Sequence, residues 1–433
     1  MSTKEIIEAM DLYQYEIIRL RRLFHHYPEA GWTEFLTTAR IAEYLDKYDI
    51  PYLMGKDVIN TDYVFGRPSV KEIEEHLKRA YKDGGDDLKK YIDKEEGYPG
   101  LMALIDSGKA GPTVALRFDI DCNDRIETVS VDHIPNIEGF ASVYHGCQHA
   151  CGHDGHTAVG LLCARILNDH RDSFTGKVKI LFQPAEEGVR GAKAMAEKGL
   201  VDDVDYLFTG HFGFDALDIE TMYVGTDISL ATTKIDAVFT GTGAHPASAP
   251  QKGHNALLAA ASAMFAMQTC DHDGRGTAVV NVGVLNAGSG RNIIPDHALM
   301  KLETRGSSTE INDELSKKVV DMLEASARMY GCKVDISYVG QASTSKSDPE
   351  LQEYIGDIAG KYGIYSDIRG EYTLQASEDA AILMSRVKER GGKACYSFWG
   401  TPLKAPHHNE CFDIDEKCLI KAAKLVVASV LDL

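Results

Sequence analysis

The segment HACGHDGH, residues 149–156, places three histidines, a cysteine and an aspartate within eight positions. Gly152 separates Cys151 from His153, and side chains two positions apart cannot share one face of a helix. We therefore predict that both lie in a loop that enters a helix at Thr157, where both can turn to one ion. Thiolate and imidazole suit zinc, or a more loosely held manganese or cobalt. The segment predicts a metal site.

Other polar residues follow apolar runs that read as strands. Asp119 and Asp121 follow TVALRF, Glu186 and Glu187 follow KVKILFQ, His211 follows VDYLFTG, and His407 and His408 follow ACYSFWG. Ligands of open α/β sheets bind at the carboxyl ends of the strands, so we expect these side chains at one sheet edge. The adjacent glutamates suggest that one binds metal while the other moves protons.

Each of these residues also has an ordinary structural interpretation. Cys151 alone fits a buried thiol, the two aspartates fit turn formers, and the two glutamates fit the first turn of a helix. The histidines individually fit capped, buried or exposed positions. The metal-site hypothesis depends on their occurring together at the ends of several segments.

Bulk properties exclude some classes of protein. The formal net charge is −19 and no basic stripe stands out, so neither nucleic acid nor an anionic membrane is an expected partner. No apolar run approaches the ~20 residues of a membrane span. The N-terminus, MSTKEIIEAM, lacks the apolar core of a signal peptide, and the nine cysteines are scattered. We expect reduced thiols and a cytoplasmic location.

The order of elements predicts two domains, because 433 residues exceed one compact core. Strands alternate with helices from about residue 100, which predicts an α/β catalytic domain over residues 1–230 and 343–433. GLMALID and TVALRFDID are predicted to be neighbouring strands in it. Residues 231–342 read as β-α-β-β-α-β, a ferredoxin-like α+β domain inserted between the two segments. Residues 51–99 read as a surface insertion without visible chemistry.

Several longer stretches carry a family resemblance. LRFDIDCNDRI, HACGHDGHTAVG, LFQPAEEGVRGAKAM, GTGAHPASAPQKGHNALLAAA, GSGRNIIPDHALMKLETRG and HHNECFDIDE resemble successive landmarks of the two-domain aminoacylase/carboxypeptidase metallopeptidases, in their amidohydrolase branch. The resemblance extends from Pro28 to Asp415. Within this branch, the resemblance is strongest to the aminobenzoyl-glutamate hydrolases. It implies a hydrolase-like α/β catalytic domain with an inserted lid domain that dimerises.

The resemblance also implies residue roles. It implies that Glu186 is the general base and that the metal ligands are Cys151, His153, Glu187, His211 and His408. Asp119 and Asp121 fix the histidines, and His156 is structural. In the lid, the resemblance assigns oxyanion stabilisation to His245 and substrate binding to Asn292. Arg305 is a candidate for binding the substrate carboxylate, because a planar guanidinium can bind it bidentately; the alternative is an ordinary surface residue of a strand. His407 is the extra histidine and the less favoured ligand. One or two divalent ions, manganese or zinc, are implied.

The implied reaction is hydrolysis of the amide of an N-acyl amino acid, with p-aminobenzoyl-glutamate as the favoured substrate. Hydrolysis of other N-acyl amino acids is an alternative. A second alternative is an aminopeptidase-like reaction, which would need an acidic side chain such as Glu378 to bind the free amine of the substrate. A third alternative is a catalytically silent subunit. The presence of Glu186 and of a complete ligand set argues against it, because a silent subunit would not need them. A homodimer is expected, and a different partner subunit stays open.

Overall fold

The structure is a computed structural model that describes residues 1–270 and 273–433. These residues form two compact units. The larger unit comprises Met1–Asp227, Ser345–Thr373 and Asp379–Leu433, and the smaller unit comprises Ile228–Thr344 and Leu374–Glu378. No helix in the described ranges combines the length and apolar character that crossing a membrane requires.

The regular elements are numbered in chain order. The strands are β1 (Tyr52–Met54), β2 (Leu101–Asp106), β3 (Thr113–Asp119), β4 (Lys177–Gln183), β5 (Tyr206–Phe212), β6 (Thr221–Ile228), β7 (Ala231–Thr240), β8 (Ala278–Ala287), β9 (His297–Gly306), β10 (Lys333–Ala342), β11 (Ser345–Lys346), β12 (Asp367–Leu374) and β13 (Lys393–Trp399). The helices are α1 (Thr3–Ala9), α2 (Gln14–His26), α3 (Phe35–Lys47), α4 (Val70–Lys94), α5 (Ile134–Ile137), α6 (His153–Asp169), α7 (Ala192–Ala196), α8 (Ala256–Met267), α9 (Thr309–Met329), α10 (Pro349–Lys361), α11 (Ala380–Glu389) and α12 (Lys417–Leu431).

The larger unit is built on a mixed sheet in the order β1-β2-β4-β3-β5-β13-β6-β11, with β12 paired to β6. Strands β4, β3, β5 and β13 are parallel to one another, whereas β2 and β6 run antiparallel to their neighbours β4 and β13. The parallel strands are buried along nearly their whole length, as expected when helices cover both faces. The predicted α/β fold with a large sheet is confirmed.

One predicted strand pairing is wrong. Strands β2 and β3 are not neighbours, because β4 lies between them, antiparallel to β2 and parallel to β3. The helix α6 connects β3 to β4 and returns the chain to the sheet in the parallel direction. Apolar runs locate strands but do not order them.

The helix α6 begins earlier than the sequence predicts. Its first residue is His153 instead of Thr157, and Gly152 precedes it with a φ of 88°. Glycine takes this left-handed conformation without steric cost, so the chain can turn sharply into the helix. His153 therefore belongs to the first turn of α6, while Cys151 lies just before it.

The smaller unit follows the order β7-α8-β8-β9-α9-β10 and forms an antiparallel sheet in the order β10-β7-β9-β8. Alternate residues of β9 are buried, as expected for a sheet with one covered face. Ala298, Met300 and Leu302 of this strand share a core with the alanine-rich face of α8 and with Val319 and Leu323 of α9.

Candidate metal centre

The parallel strands bring polar residues of the larger unit to one edge of its sheet. Asp119 ends β3 and His211 is the penultimate residue of β5. Glu186 and Glu187 follow the end of β4, and His408 lies in the loop after β13. Because the carboxyl ends of parallel strands meet at the same edge, residues far apart in the sequence become neighbours.

Unusual backbone angles occur in the loops that carry these side chains. Ala185 and His408 adopt φ values of 55° and 63°. A positive φ is costly for a residue with a Cβ atom, so surrounding contacts must hold it. The amide of Ala185 donates to Oε1 of Glu34 at 2.7 Å, and the amide of His408 donates to the carbonyl of Ala150 at 2.7 Å. These bonds fix both loops.

The five predicted ligands lie together. Sγ of Cys151 is 3.3 Å from Nε2 of His211, and Nε2 of His408 is 3.2 Å from Oε1 of Glu187. One donor atom each from Cys151, His153 and Glu187 lie within 4.8 Å of one another. Two donor atoms that bind the same zinc ion at about 2.0–2.3 Å lie at most about 4.6 Å apart, so the two shorter distances are of the size that one ion requires.

In His211 and His153, Nδ1 forms a hydrogen bond outside the cluster and Nε2 faces the other predicted ligands. Nδ1 of His211 donates to the carbonyl of Phe212 at 2.8 Å, which leaves Nε2 facing the cysteine. Nδ1 of His153 lies 3.0 Å from the carbonyl oxygen and 3.2 Å from Oδ1 of Asp121. Nε2 of His153 is buried without a hydrogen-bond partner. A buried imidazole nitrogen in this condition fits a metal ligand, because buried polar atoms are otherwise paired.

Two further histidines lie close by but use their nitrogens differently. His156 contacts Oδ1 of Asp119 with Nδ1 at 2.5 Å and accepts the amide proton of Phe212 on Nε2 at 3.2 Å. Neither of its nitrogens keeps a lone pair for an ion. Nε2 of His407 donates to the carbonyl of Phe212 at 3.0 Å, and burial lowers the pKa of His407 to about 4.

The two aspartates have different contacts. Asp121 touches His153 with one oxygen and accepts the amide proton of Glu187 on the other, at 2.9 Å. It thus orients two predicted ligands. Asp119 bonds to His156 and lies 3.8 Å from Nδ1 of His153, so its direct contact is with His156 and not with a predicted ligand.

Asp119 also belongs to a buried hydrogen-bond network that the sequence patterns do not predict. Nη1 of Arg117 donates to Oδ2 of Asp119 at 2.7 Å, and its Nη2 donates to Oδ1 of Asp379 at 3.0 Å. The other oxygen of Asp379 accepts from the amides of Gly191 and Ala192. Arg117 and Asp379 stand 262 positions apart, so neither periodicity nor spacing connects them.

Electrostatics within the cluster follow from burial and close partners. Hydrogen bonds with Cys151 and Glu187 raise the pKa of His408 to about 10. Burial opposes ionisation of Glu187, but its contacts with His408 and His153 outweigh that effect and lower its pKa. Burial lowers the pKa of His211 well below its ordinary value, so that ring is neutral. Burial raises the pKa of the Cys151 thiol, so a bound cation must displace its proton.

Glu186 lies beside the cluster. Its Oε2 is 3.9 Å from Nε2 of His153, and the residue is 9% exposed. The carboxylate therefore stands close to the predicted ligands while keeping limited contact with solvent. This is the position that a proton-transfer group next to a metal needs.

The predicted substrate-binding residues lie in the smaller unit. Nδ1 of His245 accepts the amide protons of Ala247 and Ser248 within its own loop, and its side chain is exposed. Asn292 is exposed in the loop between β8 and β9. Arg305 lies on β9, where Nε donates to Oε1 of Glu303 at 3.0 Å.

Comparison with known proteins identifies the class of enzyme. The family model described as peptidase family M20/M25/M40 matches residues 115–432. The chain belongs to this family, and it is an amidohydrolase, an enzyme that cleaves amide bonds. The family expectation from the sequence is confirmed.

Particular relatives cover nearly the whole chain. The chain is 42% identical over 422 residues to a p-aminobenzoyl-glutamate hydrolase subunit homolog of Haemophilus influenzae, covering 97% of this chain and 99% of the relative. It is 40% identical to the indole-3-acetyl-aspartic acid hydrolase of Enterobacter agglomerans, covering 96% and 95%. The crystal structure of the aminobenzoyl-glutamate utilization protein of Klebsiella pneumoniae matches with a TM-score of 0.84 at 32% identity, covering 98% of each chain.

Proposed function

We propose that the chain is a metal-dependent amidohydrolase of N-acyl amino acids that cleaves p-aminobenzoyl-glutamate to p-aminobenzoate and glutamate. The observation that carries the proposal is the cluster of donor atoms at the sheet edge, in which Nε2 of His153 is buried without a partner beside the Glu186 carboxylate. Such a cluster has no evident structural use, because unpartnered buried polar atoms are destabilising.

The proposed ligands of the cation are Cys151, His153, Glu187, His211 and His408. Sulfur and imidazole donors suit zinc, and the Glu187 carboxylate also suits manganese. We propose one or two ions of this kind. When bound, the cation would polarise the amide carbonyl and lower the pKa of a nearby water.

Glu186 is proposed as the general base. Its carboxylate accepts a proton from the attacking water and delivers it to the nitrogen of the leaving amine. Glu187 contacts His408, and its backbone N–H donates to Oδ2 of Asp121, so it is held against the predicted ligands. The Glu186 carboxylate lies farther from them, with Oε2 at 3.9 Å from Nε2 of His153. This difference supports the division of work between the adjacent glutamates.

In the smaller unit, the proposed roles of His245 and Asn292 rest on the family resemblance, and that of Arg305 rests on the chemistry of its guanidinium. His245 is proposed to donate to the oxyanion, and Asn292 and Arg305 are proposed to hold the carboxylate of the amino acid. Because Nδ1 of His245 accepts backbone amide protons, Nε2 is left as the donor for the oxyanion. Nε and Nη2 of Arg305 donate to the carboxylate of Glu303.

Two relatives suggest the substrate class. Their names specify p-aminobenzoyl-glutamate and indole-3-acetyl-aspartate, which share an aromatic acyl group and an acidic amino acid. We propose the same class for this chain, and indole-3-acetyl-aspartate is the second candidate substrate. The Haemophilus influenzae relative is named as one subunit of a hydrolase, so assembly with a different chain is proposed as the alternative to a homodimer.

The test is product release by the purified chain alone. We expect p-aminobenzoate from p-aminobenzoyl-glutamate with manganese or zinc supplied, and none after chelation or in His153→Ala. A parallel reaction with indole-3-acetyl-aspartate and with hippurate reports the breadth of the acyl pocket. No hydrolysis of any of these amides by metal-loaded chain would contradict the proposal, and cleavage of free peptides instead would favour the aminopeptidase alternative.

A further inference from the structure

The peptide group of Phe212 connects three histidines. Its N–H donates to Nε2 of His156 at 3.2 Å. Its carbonyl oxygen accepts from Nδ1 of His211 at 2.8 Å and from Nε2 of His407 at 3.0 Å. A carbonyl oxygen has two lone pairs, so the two imidazoles saturate this acceptor. The carbonyl thus holds both rings in one arrangement.

His407 is firmly placed for this contact. Its ring stacks on Phe214 with centroids 4.5 Å apart and an interplanar angle of 24°, and it also packs 5.0 Å from the ring of Phe412. Gly213 has a φ of 82°, and a Cβ added there would come within 3.0 Å of Cε1 of His407. The space around the ring is therefore filled, and its Nε2 is directed at the carbonyl.

We propose that His407 is a positioning residue for His211, which it holds through the shared carbonyl of Phe212. The shared acceptor fixes the ring plane of His211, with Nδ1 bonded to the backbone and Nε2 at 3.3 Å from Sγ of Cys151. This inference rests on the proposed function, because it takes His211 as a ligand of the catalytic cation. Groups that orient a ligating histidine typically contribute 10–100-fold to metal affinity.

A competing role for His407 is direct binding of the ion. One ring nitrogen of His407 lies within 4.8 Å of donor atoms of Cys151 and His211. However, Nε2 is engaged with the carbonyl, so only Nδ1 would be left for an ion. Glutamine separates the two roles, because its amide N–H can replace the Nε2 donor but offers no nitrogen lone pair.

The experiment measures binding of Co²⁺ alone to the metal-free chain. Affinity comes from competition with a chelator, and ligand geometry comes from the visible absorption bands and the thiolate-to-cobalt band of Cys151. His407→Phe keeps the ring stacking and removes the donor, whereas His407→Gln keeps a donor. His26→Phe is the matched control, because it removes another histidine–carbonyl hydrogen bond, from Nδ1 to Ala141 at 2.7 Å.

We expect His407→Phe to bind Co²⁺ about 10–100-fold more weakly with shifted absorption bands, and His407→Gln and His26→Phe to resemble the parent. Parent affinity and spectrum in His407→Phe would overturn the inference, and so would a His407→Gln variant as weak as His407→Phe. If His407→Phe does not fold, His407→Leu is measured in its place with the same expectations. Failure of the parent chain to bind Co²⁺ with a thiolate band would instead reject the proposed metal site itself, and this inference with it.

Discussion

The larger unit buries a cluster of charged side chains, whereas the described residues of 228–344 in the smaller unit do not. Asp119, Asp121, His153 and His211 are at most 3% exposed, and Arg117 is buried among them. Within the described residues of 228–344, the buried polar side chains are all neutral: Thr232, Thr233, Thr304, Asn312, Ser316 and Ser326. Buried charge is costly unless it is paired or binds a metal. The larger unit therefore maintains a prearranged charged centre, whereas the described part of residues 228–344 in the smaller unit has a neutral core and the buried acid Glu378 belongs to its second, short segment.

The predicted functional residues of the two units differ in burial in the same way. Those of the larger unit are oriented by buried neighbours, as Asp121 orients His153. Those of the smaller unit are exposed or half-exposed, and His245 and Arg305 bond within their own loop or strand. Changes to the predicted ligands of the first set, or to the groups that orient them, should alter metal binding. Changes to Glu186 or to residues of the second set should alter only turnover or substrate binding.

The largest expected effect is loss of a ligand. His153→Ala removes the buried Nε2 and leaves Asp121 without its imidazole partner, so we expect loss of bound metal and of hydrolysis to the detection limit. Metal content of the purified variant and product release check this. Activity near that of the parent would mean that the centre lies elsewhere.

Breaking the buried network should have the next largest effect. Arg117→Met leaves Asp119 and Asp379 buried without their guanidinium, so we expect the free energy of unfolding to fall by about 3–5 kcal/mol. Arg305→Met is the matched control in the smaller unit, where the half-exposed pair with Glu303 contributes about 0–1 kcal/mol. Urea unfolding measures both. Equal losses would contradict the contrast between the units.

His245→Ala tests the smaller unit's contribution to catalysis. If His245 donates to the oxyanion, we expect kcat to fall about 10²–10³-fold while metal content stays unchanged. Steady-state kinetics and metal analysis provide the measurement. Loss of metal from this variant would show that the two sets of residues are not separable.

Stability should depend on pH through the larger unit. Burial and Arg21 oppose a charge on His25, but hydrogen bonds to Asp154 and Glu127 outweigh them and raise the pKa of His25 to about 9. A group whose pKa is raised by folding stabilises the folded state fully at pH values below its unfolded pKa, which is near 6.5 for histidine. This stabilisation is lost as the pH rises through the folded pKa of about 9.

We therefore expect unfolding free energy to fall on the order of 2 kcal/mol between pH 7 and 10. His25→Gln isolates the contribution of this group, because it leaves Arg21 paired with Asp154 while removing the titration. Urea unfolding across this pH range should give a flatter profile for the variant. Identical profiles for parent and variant would contradict the assignment to His25.

The sequence predicted the elements that carry the centre better than their arrangement. Strands β3, β4, β5 and β13 are long apolar runs and were found, whereas β12, which is mostly exposed and polar, was not. Pairing of β2 with β4 depends on the crossover through α6, which local patterns do not encode.

Within the centre, predictable residues are those whose chemistry is concentrated locally. The segment 149–156 combines ligand types with glycine, so its role could be anticipated. The bond of Arg117 to Asp379 and the sharing of the Phe212 carbonyl by His211 and His407 depend on residues brought together only by folding. Such contacts have no signature in the spacing of residues.

The central claim is that the cluster in the larger unit is the active site and that Glu186 is its base. The most direct test is Glu186→Ala, with metal content and hydrolysis of p-aminobenzoyl-glutamate measured on the same sample. The account predicts parent metal content with hydrolysis reduced about 10²–10⁴-fold, because ligands remain while proton transfer is lost. Full turnover by a metal-loaded Glu186→Ala chain would contradict it.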